Sequence, residues 1–359
     1  MIAAMFRLRV TLSILSMGLE PPADSIQSMP RLGWGGTMAL SIIEFFGFRP
    51  LDPAAAPYRD ARRCPFVAGD CIKPNHGACT VNQLSGHPII CCPNRLYAEQ
   101  FKVLQEIAEE AFGAGSQLVL AADIRPRLAA GRMTGREVVV FGRYWGQELP
   151  LPRPPGAGQS ESRKYYVDWI LAKLDQQGNV VELTAVEVQT IDTTGNYSDQ
   201  AQTFFAGQPY IDAQGRNPGY SEAGMNWENV NKRILPQLIY KGHVLRRESR
   251  CRMGLYFVCP VQVYNRIRER LGGTLHEYRP GNGTITFRSY ELGPEQLQGQ
   301  HRPLVFAGQF TTTVDQVALA FTSPMNLPAQ DVYEAAINLA LGRASAARRQ
   351  GQGAATLFD

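Results

Sequence analysis

The sequence predicts an α/β fold, a mixed central β-sheet flanked by helices, with a small cysteine-rich segment in front of it. Three observations predict this. Short runs rich in β-branched and aromatic residues alternate with stretches of helical periodicity along most of the chain. Five of the seven cysteines gather between Cys64 and Cys92. The 359 residues are 44% apolar and 19% charged, a composition that buries a sizeable core and excludes disorder across the main body.

Residues 1–40 are expected to lie outside that fold. "MFRLRVTLSILSMGL" has a short apolar run after two arginines, but no small-residue cleavage site follows it. The run is too short to span a membrane and no later one approaches that length, so no membrane partner and a cytoplasmic location are expected. The segment reads as a disordered or wrongly assigned extension, with Met38 as the initiator. Secretion is the alternative, and it would turn the cysteines into disulfides.

From Ser41, "SIIEFFGFRP" reads as a short amphipathic helix closed by Gly47 and Pro50. "NRLYAEQFKVLQEIAEEAFG" is a longer one, with Leu96, Phe101, Leu104, Ile107, Ala108 and Phe112 near helical spacing, an acidic outer face and Gly113 as its stop. "REVVVFGRYW" is a strand, and "ELPLPRPPGAGQSES" a Pro/Gly/Ser loop. "YYVDWILAKL" and "VVELTAVEVQTI" are neighbouring strands turned at "DQQGN", where Gly178 and Asn179 supply backbone freedom. "NWENVNKRILPQLIYKGHVLRR" is helical and kinked or split by Pro236. A strand and helix follow in "MGLYFVCPVQVYNRIRERLGG", then a strand in "GNGTITFRSYEL" and a last helix in "AQDVYEAAINLALGRAS".

Strand side chains alternate, so Glu187 and Gln189 of "VEVQTID" share one face, away from Val186, Val188 and Thr190. A carboxylate among apolar neighbours is costly unless a cation or hydrogen bonds compensate. With Asp168 one strand earlier, the pair suits Mg²⁺, which takes one or two carboxylates, polarises a phosphate and lowers the pKa of an attacking water. An Asp followed one strand later by Glu-x-Lys is the signature of the PD-(D/E)xK nucleases, and here Gln189 stands in place of the lysine. An amide orients water without supplying charge, so more of the activation falls to the metal. The competing reading is the solvated face of an edge strand.

Cys64, Cys71, Cys79, Cys91 and Cys92 lie close in sequence, and in a reducing compartment such clustering points to metal, either Zn²⁺ or iron. The spacing C-x6-C-x7-C-x12-C is not that of a zinc ribbon, and an odd total fits poorly with complete internal pairing. Free buried thiols are the alternative. His76 and His87 read as solvated loop histidines, Cys251 and Cys259 as core. The net charge of +4 does not specify a nucleic-acid partner. Thirty of the thirty-six basic residues are arginine, whose fork suits phosphate and guanine edges, although a GC-rich coding sequence gives the same excess.

"IIEFFGF", "CPF", "GACTVN", "CPNR", "YVDW", "VEVQTID..GNY" and "NVNKR" follow one another as they do in one known family, and the chain closes on "LFD". In these motifs the sequence resembles the NotI-type restriction endonucleases, over roughly residues 41–359 and patchily after 260. The resemblance implies a PD-(D/E)xK restriction-endonuclease-like core and a type II enzyme that works as a homodimer. It implies Mg²⁺-dependent double-strand cuts in DNA at a GC-rich palindrome, with a cognate DNA methyltransferase as companion. Asp168 and Glu187 are then the metal-binding carboxylates, and Gln189 stands where the family also carries glutamine. A structural iron, with zinc as the alternative, falls to Cys64 of "CPF", Cys79 of "GACTVN", Cys92 of "CPNR" and Cys71, which completes the four.

Glu148 in "GQEL" matches a Gly-x-Glu-Leu element ahead of the active site, where a carboxylate accepts from a cytosine amino group; an exposed loop acid is the alternative. Lys232 and Arg233 of "NVNKR" are expected to contact phosphate or guanine, or else to form a solvated basic face. The stretch before "VEVQ", including Glu182, departs from the better-known family pattern and leaves the target sequence open. The expected organisation is an extension over 1–40, a helix and four-cysteine metal-binding segment over 41–94, a nuclease and recognition domain over 95–343, and a tail over 344–359. The rival functions are a metal-stapled DNA-binding protein without nuclease activity and a soluble α/β protein whose acid pair is structural.

Overall fold

Leu255–Pro260 is buried at every position, the mark of a strand covered on both faces, and it lies in the interior of the sheet with a strand on each side. The computed structural model describes residues 40–73, 76–83, 87–151, 165–194, 197–210, 224–323 and 329–342. Residues 1–39 of the expected 1–40 extension, most of the Pro/Gly/Ser loop and the tail after 342 lie outside the described residues, whereas Leu40 is buried at the start of a strand. In chain order the elements are β1 (Leu40–Phe45), α1 (Ala56–Ala61), β2 (Ala78–Gln83), β3 (Ile89–Ile90), α2 (Ala98–Phe112), β4 (Gln117–Leu120), α3 (Ala121–Ala129) and β5 (Glu137–Gly142). They continue with β6 (Trp169–Leu174), β7 (Val180–Val188), β8 (Thr193–Thr194), α4 (Ser198–Phe205), β9 (Gly224–Met225), α5 (Leu235–Leu245), β10 (Leu255–Pro260) and α6 (Val261–Leu271). The last are β11 (Thr284–Leu292), β12 (Leu304–Thr313), α7 (Val314–Thr322) and α8 (Val332–Ala340).

Seven strands form a mixed sheet in the order β12-β11-β10-β7-β6-β5-β4, as the α/β reading predicts. β10 runs parallel to both β7 and β11, while β6 is antiparallel to β5 and β7. Alternation divides the core into two layers. Ala185, Leu255 and Phe257 pack on the side of α5, α6 and α7. Val186, Val188, Tyr256 and Val258 pack on the side of α2, against Leu104, Ile107 and Ala108.

The segment at 41 is a strand, not the amphipathic helix expected there. β1 pairs antiparallel with β2, and the side chain of buried Gln200 in α4 hydrogen-bonds both Ile42 N–H (2.9 Å) and the Leu40 carbonyl (2.7 Å). These partners lie far off in sequence, and they satisfy the strand's backbone where a short apolar run alone gives no period to choose by. Glu44 is buried and bound through both oxygens by Arg95, at 2.9 and 3.0 Å, and Arg95 also donates to the Arg302 carbonyl at 2.6 Å.

The helix expected from Asn94 starts later than its pattern suggests. Pro93–Tyr97 is a 3₁₀ turn, and Glu99, Gln100 and Phe101 take left-handed backbone angles. Its acidic face is only partly solvated, because Glu106 (3.1 Å) and Glu110 bind the Arg288 guanidinium from β11. Pro236 does split its helix: Val230–Ile234 is a π turn running directly into α5, which accommodates a proline that can neither donate to nor clear the preceding turn. The strand and helix expected from Met253, the strand from Gly281 and the last helix are present as β10, α6, β11 and α8. Among the described residues no helix is long and apolar enough to cross a membrane.

Candidate active site

The hairpin of β6 and β7 places the two carboxylates. Its turn is built by Asp175, whose Oδ1 accepts from the N–H of Gln177 (2.9 Å) and of Asn179 (2.8 Å), with Gly178 at φ +83°. Trp169 pairs with Val186, so continuing that antiparallel register sets Asp168 opposite Glu187 on the same face. The Val188 N–H closes the arrangement by donating to Asp168 Oδ2 at 2.7 Å. Beneath it, Trp169 is 1% exposed and donates through Nε1 to the Tyr97 hydroxyl at 3.1 Å.

β7 is a central strand and Glu187 is only 7% exposed, which removes the reading of a solvated edge. Glu187 shares the face of Ala185, toward α5, and there Lys241 Nζ meets its Oε1 at 2.5 Å. Oε2 of Glu187 is buried without a hydrogen-bond partner among the described residues. Burial, followed by the neighbouring Asp168, pushes the Glu187 carboxyl up to about 7 against the opposing pull of Lys241. Burial also raises Asp168, with the Val188 N–H and Lys241 opposing and Glu148 adding to the rise. Two like charges and an orphaned oxygen fit a divalent cation that takes its remaining ligands from water and phosphate. Gln189 donates from its backbone to the Val258 carbonyl at 3.0 Å and from its side chain to the Thr190 carbonyl at 3.2 Å.

The residues expected to contact DNA are all exposed. Glu148 is exposed and close enough for its charge to be felt at Asp168. Lys232 and Arg233 are exposed on the π turn, with Glu228 at 3.9 Å from Lys232 and Asp192 at 3.7 Å from Arg233.

The cysteines lie on a separate platform, and all seven are free thiols. Burial is the main cause that raises Cys79, and charges at Cys92, Cys71 and Cys64 would raise it further, which marks the four as neighbours. Cys79, Cys92 and half-buried Cys64 pack in the α2 layer, whereas Cys91 packs in the other and its thiol lies 3.8 Å from the Ala78 carbonyl. Cys71 packs against the same layer as Cys91, so the four expected ligands are divided between the two layers. The Cys71 sulfur accepts from the Gly77 N–H at 3.2 Å and that of Cys64 from Asn94 at 3.6 Å. Among the described residues no three or more His, Cys, Asp or Glu side chains close on a single metal position. His87 is exposed, His76 is half-buried with an unpartnered Nδ1, and Cys251 and Cys259 are core residues.

Residues 154–263 match the family model described as restriction endonuclease NotI. Over that stretch the chain is similar to the NotI restriction endonucleases. The match supports site-specific cleavage of DNA over a binding protein without nuclease activity. The stretch that matches the NotI family contains Asp168, Glu187, Gln189, Lys232 and Arg233, and leaves Glu148 and the clustered cysteines outside. No curated protein matches the chain.

Lys241 is the site residue that sequence reasoning missed. It also falls within the NotI-matched stretch, and it is one of only six lysines in the chain. Its signal was a charge on an apolar stripe: Ile234, Leu238 and Leu245 are buried at helical spacing around it.

Proposed function

We propose that this enzyme cuts both strands of a GC-rich palindromic DNA site as a homodimer, with Mg²⁺ bound at Asp168, Glu187 and the Val188 carbonyl. Two-fold symmetry in the protein answers two-fold symmetry in the DNA, and each subunit cuts one strand. The bound cation supplies polarisation of the phosphate and a lowered pKa for water. Asp168 and Glu187 hold it in place, and the Gln189 amide orients water in line with the scissile bond. Glu148 reads a base edge, and Lys232 and Arg233 meet phosphate or guanine.

Cys64, Cys71, Cys79 and Cys92 hold a structural iron or zinc that fastens the segment over 41–94 to the nuclease domain over 95–343. Support comes from their shared neighbourhood and from the N–H donors aimed at Cys64 and Cys71, which suit thiolates. A DNA methyltransferase in the same system protects the host's own sites.

The observation that carries this reading is Asp168 opposite Glu187 with a buried, unpartnered Oε2. Plasmid nicking in Mg²⁺ tests it. Glu187→Ala and Asp168→Asn are expected to lower the rate by about 10³-fold while DNA binding persists. Unaltered nicking by either variant would place the active site elsewhere.

A further inference from the structure

The strand that should bring a lysine to the carboxylates brings Gln189 instead, whose amide nitrogen is engaged by the Thr190 carbonyl. A cation is nonetheless present. Lys241 is 5% exposed, and its ammonium is 2.5 Å from Glu187 Oε1. It comes from α5, so the charge reaches the pair from the helical layer and not from β7.

Two features hold Lys241 in that place. α5 begins at the π turn enforced by Pro236, which fixes the phase of the helix. At the next position, a Cβ on Gly242 would stand 2.5 Å from Val314 Cγ2, so the glycine lets α5 and α7 approach closely. Neither would be needed to place a merely solvated lysine.

An ammonium has three donors. Only Glu187 uses one among the described residues. A buried cation with unspent N–H groups beside an orphaned carboxylate oxygen is unusual as pure scaffolding, because a fully buried ion pair is satisfied on all sides or costly. It suits a site that awaits an anion. The approaching anion in a deoxyribonuclease is the scissile phosphate.

We propose that Lys241 is the active-site cation of this enzyme: it holds Glu187 and donates to a non-bridging oxygen of the scissile phosphate, in the role that Gln189 cannot fill. As the water oxygen bonds to phosphorus and gives its proton to solvent, and the bond to the leaving sugar oxygen breaks with that oxygen taking a proton from solvent, the charge growing on the phosphate oxygens is met by a fixed ammonium. Nothing is transferred to or from the lysine. This inference rests on Asp168 and Glu187 being the active site.

The test compares the full-length wild type with Lys241→Gln, Lys241→Arg, Glu187→Gln and the double variant Lys241→Gln/Glu187→Gln. Single-turnover cleavage of plasmid DNA is measured in saturating Mg²⁺, DNA affinity in EDTA, and melting temperature without DNA. Lys241→Gln is expected to cut about 10²-fold more slowly with DNA affinity within about tenfold of wild type, and Lys241→Arg to recover part of the rate. Lys241→Gln should melt at least about 5 °C lower, and the double variant should regain most of that loss, because the buried pair is then neutral on both sides. If Lys241→Gln does not fold, Lys241→Met, which conserves volume in the apolar stripe, is read in the same way. Cleavage by Lys241→Gln within about threefold of wild type, with Glu187→Gln inert, overturns the role of Lys241 alone. Cleavage by Glu187→Gln at the wild-type rate overturns the site itself.

Discussion

Glu187 is a carboxyl held where water barely reaches it, with its pKa pushed up to about 7 by burial and by Asp168. The folded chain therefore binds its proton more tightly than an unfolded chain does. The stability Glu187 contributes to the metal-free protein is fully present below the ordinary carboxylate range and is lost as pH rises through about 7, on the order of 3 kcal/mol in all. In EDTA, the melting temperature of the wild type relative to Glu187→Gln should fall between about pH 5 and about pH 8. Cleavage in Mg²⁺ should change in the opposite sense over the same window, since a cation needs the ionised form. Two flat profiles would contradict the assignment. At this scale Asp168, Glu187 and Gln189 were legible because alternation and a motif expose them in a single strand. Lys241 was not, because its partner lies 54 positions away and only the packing of α5 brings the two together.

Elements place these residues, and their own limits are specific. A Cβ on Gly142 of β5 would lie 2.3 Å from Trp169 Cε3 and 2.7 Å from the Asp168 carbonyl. Gly142→Ala must therefore push the start of β6 away, and a displacement of that size should slow cleavage by about 10²-fold with the circular dichroism of the fold retained. β1 offers a second test. Glu44→Gln leaves Arg95 buried without its counter-charge and should destabilise the protein by about 3–5 kcal/mol, measured by denaturant titration. The hairpin, β5, β10 with α6, and β11 were legible from period and turn residues. β1 was misread as a helix because "SIIEFF" fits either period, and the pairing that decides it comes from β2 and Gln200. β12 and α7 went unread: β12 is largely half-buried or exposed and carries no clean alternation.

Across the whole molecule, one carbonyl links the cysteine platform to the residues beside the active site. Cys91 accepts from Lys73 Nζ at 2.8 Å and from Thr190 Oγ1, one residue beyond Gln189, at 3.1 Å. Removal of the two proposed metals should therefore have different consequences. A chelator strong enough to strip a thiolate site should lower the melting temperature and, through Thr190, disturb the active site, whereas withdrawal of Mg²⁺ alone should stop cleavage and leave melting nearly unchanged. Loss of both properties together on mild chelation would argue for a single metal site. The order of the sheet could not be read from the chain, since parallel neighbours such as β7 and β10 are separated by α4 and α5 and carry no local signal. The central claim is that Asp168 and Glu187 form a Mg²⁺-dependent, site-specific nuclease centre. Digestion of a large, GC-rich, unmethylated DNA by the purified wild type and by Glu187→Ala, with Mg²⁺ and with EDTA, followed by sequencing of the fragment ends, tests it most directly. Discrete fragments sharing one palindrome are expected from the wild type in Mg²⁺ alone. Fragments from Glu187→Ala, or from the wild type in EDTA, would contradict it.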